Sequence, residues 1–254
     1  MSTTKALLRA CKDAGFRAFV GRCQMDRNAP DTYREADAKT SCAHTRELIE
    51  YSKSLSPDGL VQPILTPRFA ICCTPELLSG IADIAKEQPD LRIQTHLSEN
   101  ADEISTTMEL FPHAKSYTDV NLWLRSGLFP LERMLERGVK LGLGTDVSAG
   151  HSVSMQQAIC DAITVSKVIS MQTMQEPRVS LSALFYLATL GGAHVCGLED
   201  RIGSFQVGKE FDALCVQTGL LGAAESLERR FWRWLVCGDD REIKRVFVRG
   251  VHIG

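Results

Sequence analysis

Three short apolar runs constrain the fold of this chain most strongly, because each of them ends in a polar or ionisable side chain. The runs are residues 61–69, 91–100 and 140–148. Their ends carry Arg68 with Phe69, His96 followed by Glu99, and Asp146. The carboxyl ends of parallel strands meet at one rim of a β/α barrel, where such a fold presents its reactive side chains. The pattern therefore predicts that these residues serve one site, although each of them alone is more typical of a structural residue.

Helical spacing separates these runs, so strands and helices are predicted to alternate along the chain. An apolar run at 16–25 follows an N-terminal amphipathic helix, and Thr74-Pro75 is typical of the N-cap and first turn of a helix. Further helices are predicted at 45–55, 74–86, 101–110, 128–137, 152–170 and 180–195, and a last strand at 243–248. This alternation predicts an α/β fold with parallel strands and covering helices.

Length and composition exclude several classes of function. A chain of 254 residues with 44% hydrophobic and 24% charged residues has enough material for one full barrel or two small domains. Its net charge of -2 and its isoelectric point near 6.3 provide no basic surface for a phosphate backbone, so no nucleic-acid partner is expected.

The cysteine pattern and the apolar stretches indicate a cytoplasmic protein. The nine cysteines include no CxxC pair, and residues 1–15 do not have the apolar core of a signal peptide, so reduced thiols are expected. The least polar stretch, 183–198, is too short to span a membrane and is interrupted by glycines. Adjacent Cys72 and Cys73 are not expected to form a metal or redox pair, because neighbours on a strand point to opposite faces.

Three motifs carry a resemblance to a known family. TPRF, THLSEN and LGLGTDVSAG, in this order, resemble the guanine deaminases of the amidohydrolase superfamily, and the similarity extends over nearly the whole chain. GTD marks the superfamily, whereas TPRF together with THLSEN marks the guanine-specific branch. The resemblance implies an incomplete (β/α) barrel of amidohydrolase type at 1–200. It also implies that 201–254 contributes strands to a small β-sandwich.

The resemblance also implies roles for the residues at the ends of the runs. His96 and Asp146 are implied zinc ligands, Glu99 and Asp146 transfer protons, and Arg68 and Phe69 hold the purine, so that all five contact the substrate. The implied reaction is the attack of a zinc-bound hydroxide on guanine, which yields xanthine and ammonia. Each role has a structural alternative: Arg68 pairs with a carboxylate, Phe69 belongs to the core, or Glu99 caps its helix.

The sequence departs from the family pattern in two places. Two zinc ligands of the family come from an HxH pair on the first strand, yet no two of the six histidines here are two residues apart. A strand-helix-strand unit of about 30 residues or more is also expected to be missing between Val120 and Asn121. The alternative function is therefore a non-catalytic remnant. Unpaired strand edges in either case predict a homodimer or larger self-association.

Overall fold

The computed structural model describes residues 1–112, 128–176, 179–218 and 225–253. Its contacts divide the chain into two compact units, Met1–Thr118 and Asp119–Gly254. This division does not coincide with the boundary predicted near residue 200. That boundary separates the barrel from the small β-sandwich in the family, and it stays a prediction. The junction predicted at Val120 and Asn121 lies outside the described residues.

The first unit combines helices with short parallel strands. Its described helices are α1 (Ser2–Asp13), α2 (Ala38–Leu55), α3 (Pro75–Glu87) and α4 (Ala101–Leu110). Its described strands are β1 (Ala18–Val20), β2 (Cys23–Gln24), β3 (Val61–Pro67) and β4 (Arg92–Ile93). The predicted order of strands and helices is thus confirmed in this unit, and α2 begins earlier than expected because Asp37 caps it.

Strand β3 is the centre of the parallel sheet of this unit. It pairs in parallel with β1, β2 and β4. β1 and β2 keep the same register against β3, so they are two parts of the single strand that the sequence predicts at 16–25. The interruption falls at Gly21, where an added Cβ would lie 2.0 Å from Thr66 Oγ1 and 2.4 Å from the carbonyl oxygen of Ile64. Only glycine permits this close approach.

The core of the first unit lies between β3 and the helices α2 and α3. Its most buried members include Ile49, Leu65, Leu77 and Ile84. Thr74 caps α3 by accepting a hydrogen bond from the Leu77 N–H, as the sequence predicts. Asp26 in turn accepts hydrogen bonds from the N–H of Thr74 at 2.7 Å and from its hydroxyl at 2.5 Å. These contacts hold the turn between β3 and α3 in place.

The expectation that Cys72 and Cys73 point to opposite faces of a strand is wrong. Residues Ala70–Cys72 form a 3₁₀ turn that leads into α3, and both thiols are buried. Burial raises the pKa of the Cys73 thiol to about 11 and raises that of Cys72 as well. Since both thiols stay protonated at neutral pH, neither is suited to redox chemistry.

The second unit is built of helices and a small antiparallel sheet. Its described helices are α5 (Leu131–Glu136), α6 (Met155–Thr173), α7 (Leu181–Ala188), α8 (Leu190–Val195) and α9 (Leu227–Cys237). Its described strands are β5 (Ala213–Val216), β6 (Ile243–Val248) and β7 (Val251–His252), with β6 paired to both others. The last strand was expected at the bounds of β6, whereas α9 and β7 were not predicted.

Residues 140–148 do not form the predicted strand within the described part of the chain. Among the described residues, the segment 140–146 has two main-chain hydrogen bonds: the Leu143 N–H donates to the carbonyl oxygen of Leu187 at 3.1 Å, and the Asp146 carbonyl oxygen accepts from the Gly150 N–H of the turn that follows. Strand geometry requires a ladder partner, and the described residues provide none. The helix predicted at 180–195 is also divided into two helices, α7 and α8, which are separated by Thr189.

The second unit has its own hydrophobic core, formed by α6, α7 and α9. Ile159, Leu184, Leu187 and Leu235 are almost fully buried there, and Leu141 and Leu143 pack against them. No helix among the residues described is long and apolar enough to span a membrane.

Candidate active site

The carbonyl oxygen of Arg68, one residue beyond the end of β3, orients His96. It accepts a hydrogen bond from the His96 N–H at 2.9 Å and another from His96 Nδ1 at 2.8 Å. Because a carbonyl oxygen only accepts, Nδ1 must carry the proton, and the lone pair of the neutral ring is on Nε2. A backbone carbonyl bound to one ring nitrogen is the usual partner of a histidine that binds a metal with the other.

Phe69 stacks on this histidine. The two ring centroids lie 4.5 Å apart with an interplanar angle of 18°. Phe69 is half-buried and is not a member of the described core cluster around β3, α2 and α3. The alternative interpretation, in which Phe69 is a core residue, would place it in that cluster. Stacking and the two hydrogen bonds together restrict the imidazole to one orientation, although His96 itself is exposed to solvent.

The guanidinium of Arg68 is available for a ligand. Its Cζ lies 5.6 Å from the centroid of the Phe69 ring, and its Nη1 contacts Met25 Sδ at 3.4 Å. Arg68 forms no ion pair with any residue in the described part of the first unit. The structural alternative, in which Arg68 pairs with a carboxylate, is therefore not what the described residues show. A half-buried guanidinium beside an aromatic ring provides forked donors for a planar, polar molecule.

Glu99 lies in the turn before α4, and other residues cap that helix. Asn100 is the N-cap and accepts a hydrogen bond from the Glu103 N–H at 2.8 Å. The buried carboxylate of Glu103 accepts from the Glu99 N–H at 3.1 Å. This reciprocal arrangement holds the backbone of Glu99 and leaves its side chain free of a capping role.

Asp146 belongs to the second unit and follows directly on the apolar run that begins at Lys140. Its backbone is left-handed, with φ of 48°, and its carbonyl oxygen accepts a hydrogen bond from the Gly150 N–H. The side chain is exposed. Non-glycine residues with positive φ are uncommon and mark positions where the backbone is held for a particular purpose. The structure thus brings Arg68, Phe69 and His96 together, whereas a common site with Asp146 stays a prediction.

Sequence reasoning missed the residues that support this site. The thioether of Met25 contacts the guanidinium of Arg68. The hydroxyl of Thr95 donates to the carbonyl oxygen of Arg68 at 3.3 Å. Gln24, which is fully buried, accepts from the Arg68 N–H at 3.2 Å. The spacing of Asn100 and Glu103 is that of a capping box and was available as a signal. Contacts of Met25 and Gln24 with Arg68 have no local signal, since 43 residues or more separate them.

The described residues by themselves do not fit a zinc ion. His96 is suited to be one ligand, because its Nε2 lone pair is free. However, no group of three or more His, Cys, Asp or Glu side chains is placed to hold a metal in the part of the chain described. Catalytic zinc requires about three protein ligands and one open position.

Comparison with known proteins places this chain in a family. The model of the amidohydrolase family matches residues 2–121 and 114–252. A probable guanine deaminase of Schizosaccharomyces pombe is 37% identical over 98% of this chain and 56% of its own length. The guanine deaminase of Mus musculus is 36% identical over 94% of this chain and 63% of its own. The chain therefore spans somewhat more than half the length of these curated relatives.

Solved structures agree with the sequence comparison. The crystal structure of a guanine deaminase from C. acetobutylicum with bound guanine in its active site has a TM-score of 0.88 and 30% identity, and the similarity covers 100% of this chain and 69% of that one. This likeness confirms the predicted fold class, the amidohydrolase barrel type.

The comparison also shows a difference in length from the relatives, while the predicted absence of a unit between Val120 and Asn121 stays a prediction. The two matched stretches meet at 114–121, next to Val120 and Asn121. The alignment with the Schizosaccharomyces pombe protein runs over 298 residues, which is more than the 254 of this chain, so that relative has residues without a counterpart here. Since the family model matches nearly the whole chain, the chain belongs to the amidohydrolase family and, within it, is similar to the guanine deaminases.

Proposed function

We propose that this site serves the zinc-dependent hydrolytic deamination of guanine to xanthine and ammonia, and that the chain contributes purine-binding and proton-transfer residues to it. The observation that carries the proposal is the convergence of Arg68, Phe69 and His96 at the end of β3, with a guanidinium that forms no ion pair among the described residues. The similarity to guanine deaminases supports guanine as the substrate.

Arg68 and Phe69 have complementary roles in binding the purine. The forked N–H groups of Arg68 donate to acceptors on the edge of the ring system, and the aromatic ring of Phe69 contacts its face. Stacking of Phe69 on His96 fixes the angle of the aromatic surface before any ligand arrives. A preorganised surface loses less conformational entropy when it binds.

Glu99 and Asp146 transfer protons in the proposed reaction. Glu99 delivers a proton to the ring and to the leaving amine, while Asp146 accepts the proton that the attacking water loses. The backbone of Glu99 is held by Glu103, so its carboxylate works from a fixed turn. His96 and Asp146 are the proposed zinc ligands, and a working metal site needs ligands beyond these two.

A non-catalytic protein that acts at most through association is the second candidate function. It is favoured by the absence of an HxH pair from the printed sequence and of a three-ligand cluster from the described residues. Both candidates predict the same fold and the same contacts around Arg68. They differ in bound zinc and in the conversion of guanine.

Replacing Arg68 by lysine is expected to weaken guanine binding about 10- to 100-fold, because hydrogen bonds to a charged group contribute about 1.5–3 kcal/mol and lysine does not reproduce the planar fork. Equilibrium dialysis with radiolabelled guanine measures the dissociation constant. Arg46→Lys is the matched control, since Arg46 is a surface residue of the same unit that pairs with Glu87. Equal affinities of Arg68→Lys and the unsubstituted chain would remove Arg68 from the purine site.

The chain is expected to form dimers or larger species in solution. β4 is a two-residue strand whose only pairing among the described residues is with β3, and Ile93 on it is 56% exposed. An open edge with apolar side chains favours association. Static light scattering of the chain and of Ile93→Asp should show a smaller mass for the variant, and Val207→Asp, at a fully exposed loop position, should leave the mass unchanged. A monomeric unsubstituted chain contradicts this expectation.

A further inference from the structure

The segment 140–146 has the burial pattern of a strand, but it has no strand partner among the described residues. Its side chains alternate between half-buried and exposed along the segment, as they do on a strand that covers a core on one face. The half-buried members are Leu141, Leu143 and Thr145, and the exposed ones are Lys140, Gly142, Gly144 and Asp146. The pattern of burial is therefore already that of a sheet strand.

Most main-chain groups of this segment have no main-chain partner in the part of the chain that the structure describes. Within the described residues, the Leu143 N–H donates to the carbonyl oxygen of Leu187, and the N–H groups of the other residues from 140 to 145 have no main-chain acceptor. Their carbonyl groups likewise have no main-chain donor there. A row of free N–H and C=O groups is a template for pairing with another strand.

An apolar cavity lies beside the same segment. It has a volume of about 540 Å³ and belongs entirely to the second unit. Its apolar lining includes Phe129, Leu141, Leu143, Val165, Ile169 and Leu187. The backbone edge of 140–146 and the apolar cavity therefore lie side by side. A strand could pair with this edge while the helix that follows it packs into the cavity.

The relatives suggest what could occupy this place. The alignment with the Schizosaccharomyces pombe relative is 44 residues longer than this chain, and the two stretches that match the family model meet at 114–121. A parallel strand with its crossover helix takes about 30 residues or more, so the additional residues suffice for one such unit. The cavity lining begins at Phe129, soon after the junction.

We propose that the edge of 140–146 and the adjoining cavity form a docking surface for a strand-helix segment that corresponds to the residues the relatives have without a counterpart here, supplied by another polypeptide. The strand of the segment pairs with 140–146 through main-chain hydrogen bonds, and the apolar face of its helix fills the cavity. The partner is thus a longer, guanine deaminase-like chain or a peptide derived from one.

A peptide complementation experiment tests this proposal. The probe is a synthetic peptide with the residues that the Schizosaccharomyces pombe relative has opposite 114–121, added to the purified 254-residue chain. Isothermal titration calorimetry should show saturable binding with one peptide per chain. Hydrogen exchange of the amides of residues 140–145 should slow at least about tenfold, since exchange reports the opening of hydrogen bonds.

Gly144 provides a matched pair of variants. A Cβ at Gly144 meets nothing within 4 Å, so Gly144→Ala keeps the N–H and fits the structure. Gly144→Pro removes this unpaired N–H, which a pairing strand would need. Peptide affinity should fall at least about tenfold in Gly144→Pro and stay within about twofold in Gly144→Ala, with circular dichroism showing that both are folded.

Three results would overturn the proposal. The first is an unsubstituted chain that does not bind the peptide. The second is peptide binding that Gly144→Pro leaves unchanged, which would show that main-chain pairing is not involved. The third is self-association that Gly144→Pro abolishes while the peptide still does not bind, because the occupant of the edge would then be a second copy of this chain.

Discussion

The 254-residue chain, expressed and dialysed, is expected to retain much less than one zinc ion per molecule and to convert no guanine to xanthine above background. The sequence contains no HxH pair, so His96 and Asp146 are the only ligands predicted for a zinc ion. They are about half of the protein ligands that the family uses to hold the ion. Loss of a residue that only orients a ligand already reduces metal affinity or activity about 10- to 100-fold, so the absence of two ligands should have a far larger effect.

Metal analysis by plasma mass spectrometry and a spectrophotometric assay of xanthine formation measure the two quantities. Joining an N-terminal HxH segment and the internal strand-helix-strand unit of a relative to this chain should restore zinc and turnover together, and His96→Ala in that fusion should abolish both. Stoichiometric zinc with steady turnover in the chain by itself, lost in His96→Ala, would show that other residues complete the site.

Leu65→Ala is expected to destabilise the chain by about 2–5 kcal/mol, the usual range for truncating a buried leucine to alanine. Leu65 lies on β3 in the core of the first unit and is 1% exposed. It precedes Arg68 by three residues. Its carbonyl oxygen also accepts a hydrogen bond from the Gln94 N–H at 2.9 Å, which ties β3 to the segment that carries His96. The cavity should therefore loosen the support of the site as well as the core.

Urea titration followed by circular dichroism measures the free energy of unfolding in this experiment. Leu7→Ala is the matched control, because Leu7 is 53% exposed on α1 and surface substitutions usually change stability by less than about 0.5 kcal/mol. If Leu65→Ala and Leu7→Ala unfold at the same urea concentration, β3 is not packed as the structure shows.

Local signals predicted the elements of the first unit well. Thr74-Pro75 defined the start of α3, and the apolar runs located β1 to β4, because capping and periodicity depend on residues that are neighbours in sequence. Motifs at the ends of these runs were sufficient to select Arg68, Phe69 and His96, which the structure brings into contact. The family assignment from TPRF, THLSEN and GTD is confirmed by comparison.

The sequence by itself determined the family and the order of strands and helices in the first unit, since these depend on motifs and spacing along the chain. Tertiary structure alone decided that the Arg68 carbonyl orients the His96 ring, that Met25 contacts the guanidinium, and that 140–146 has no strand partner among the described residues. The physical reason is that a ladder or a hydrogen bond between distant residues requires a partner in space. An apolar run such as 140–146 has the pattern of a strand and becomes one only when another strand lies beside it.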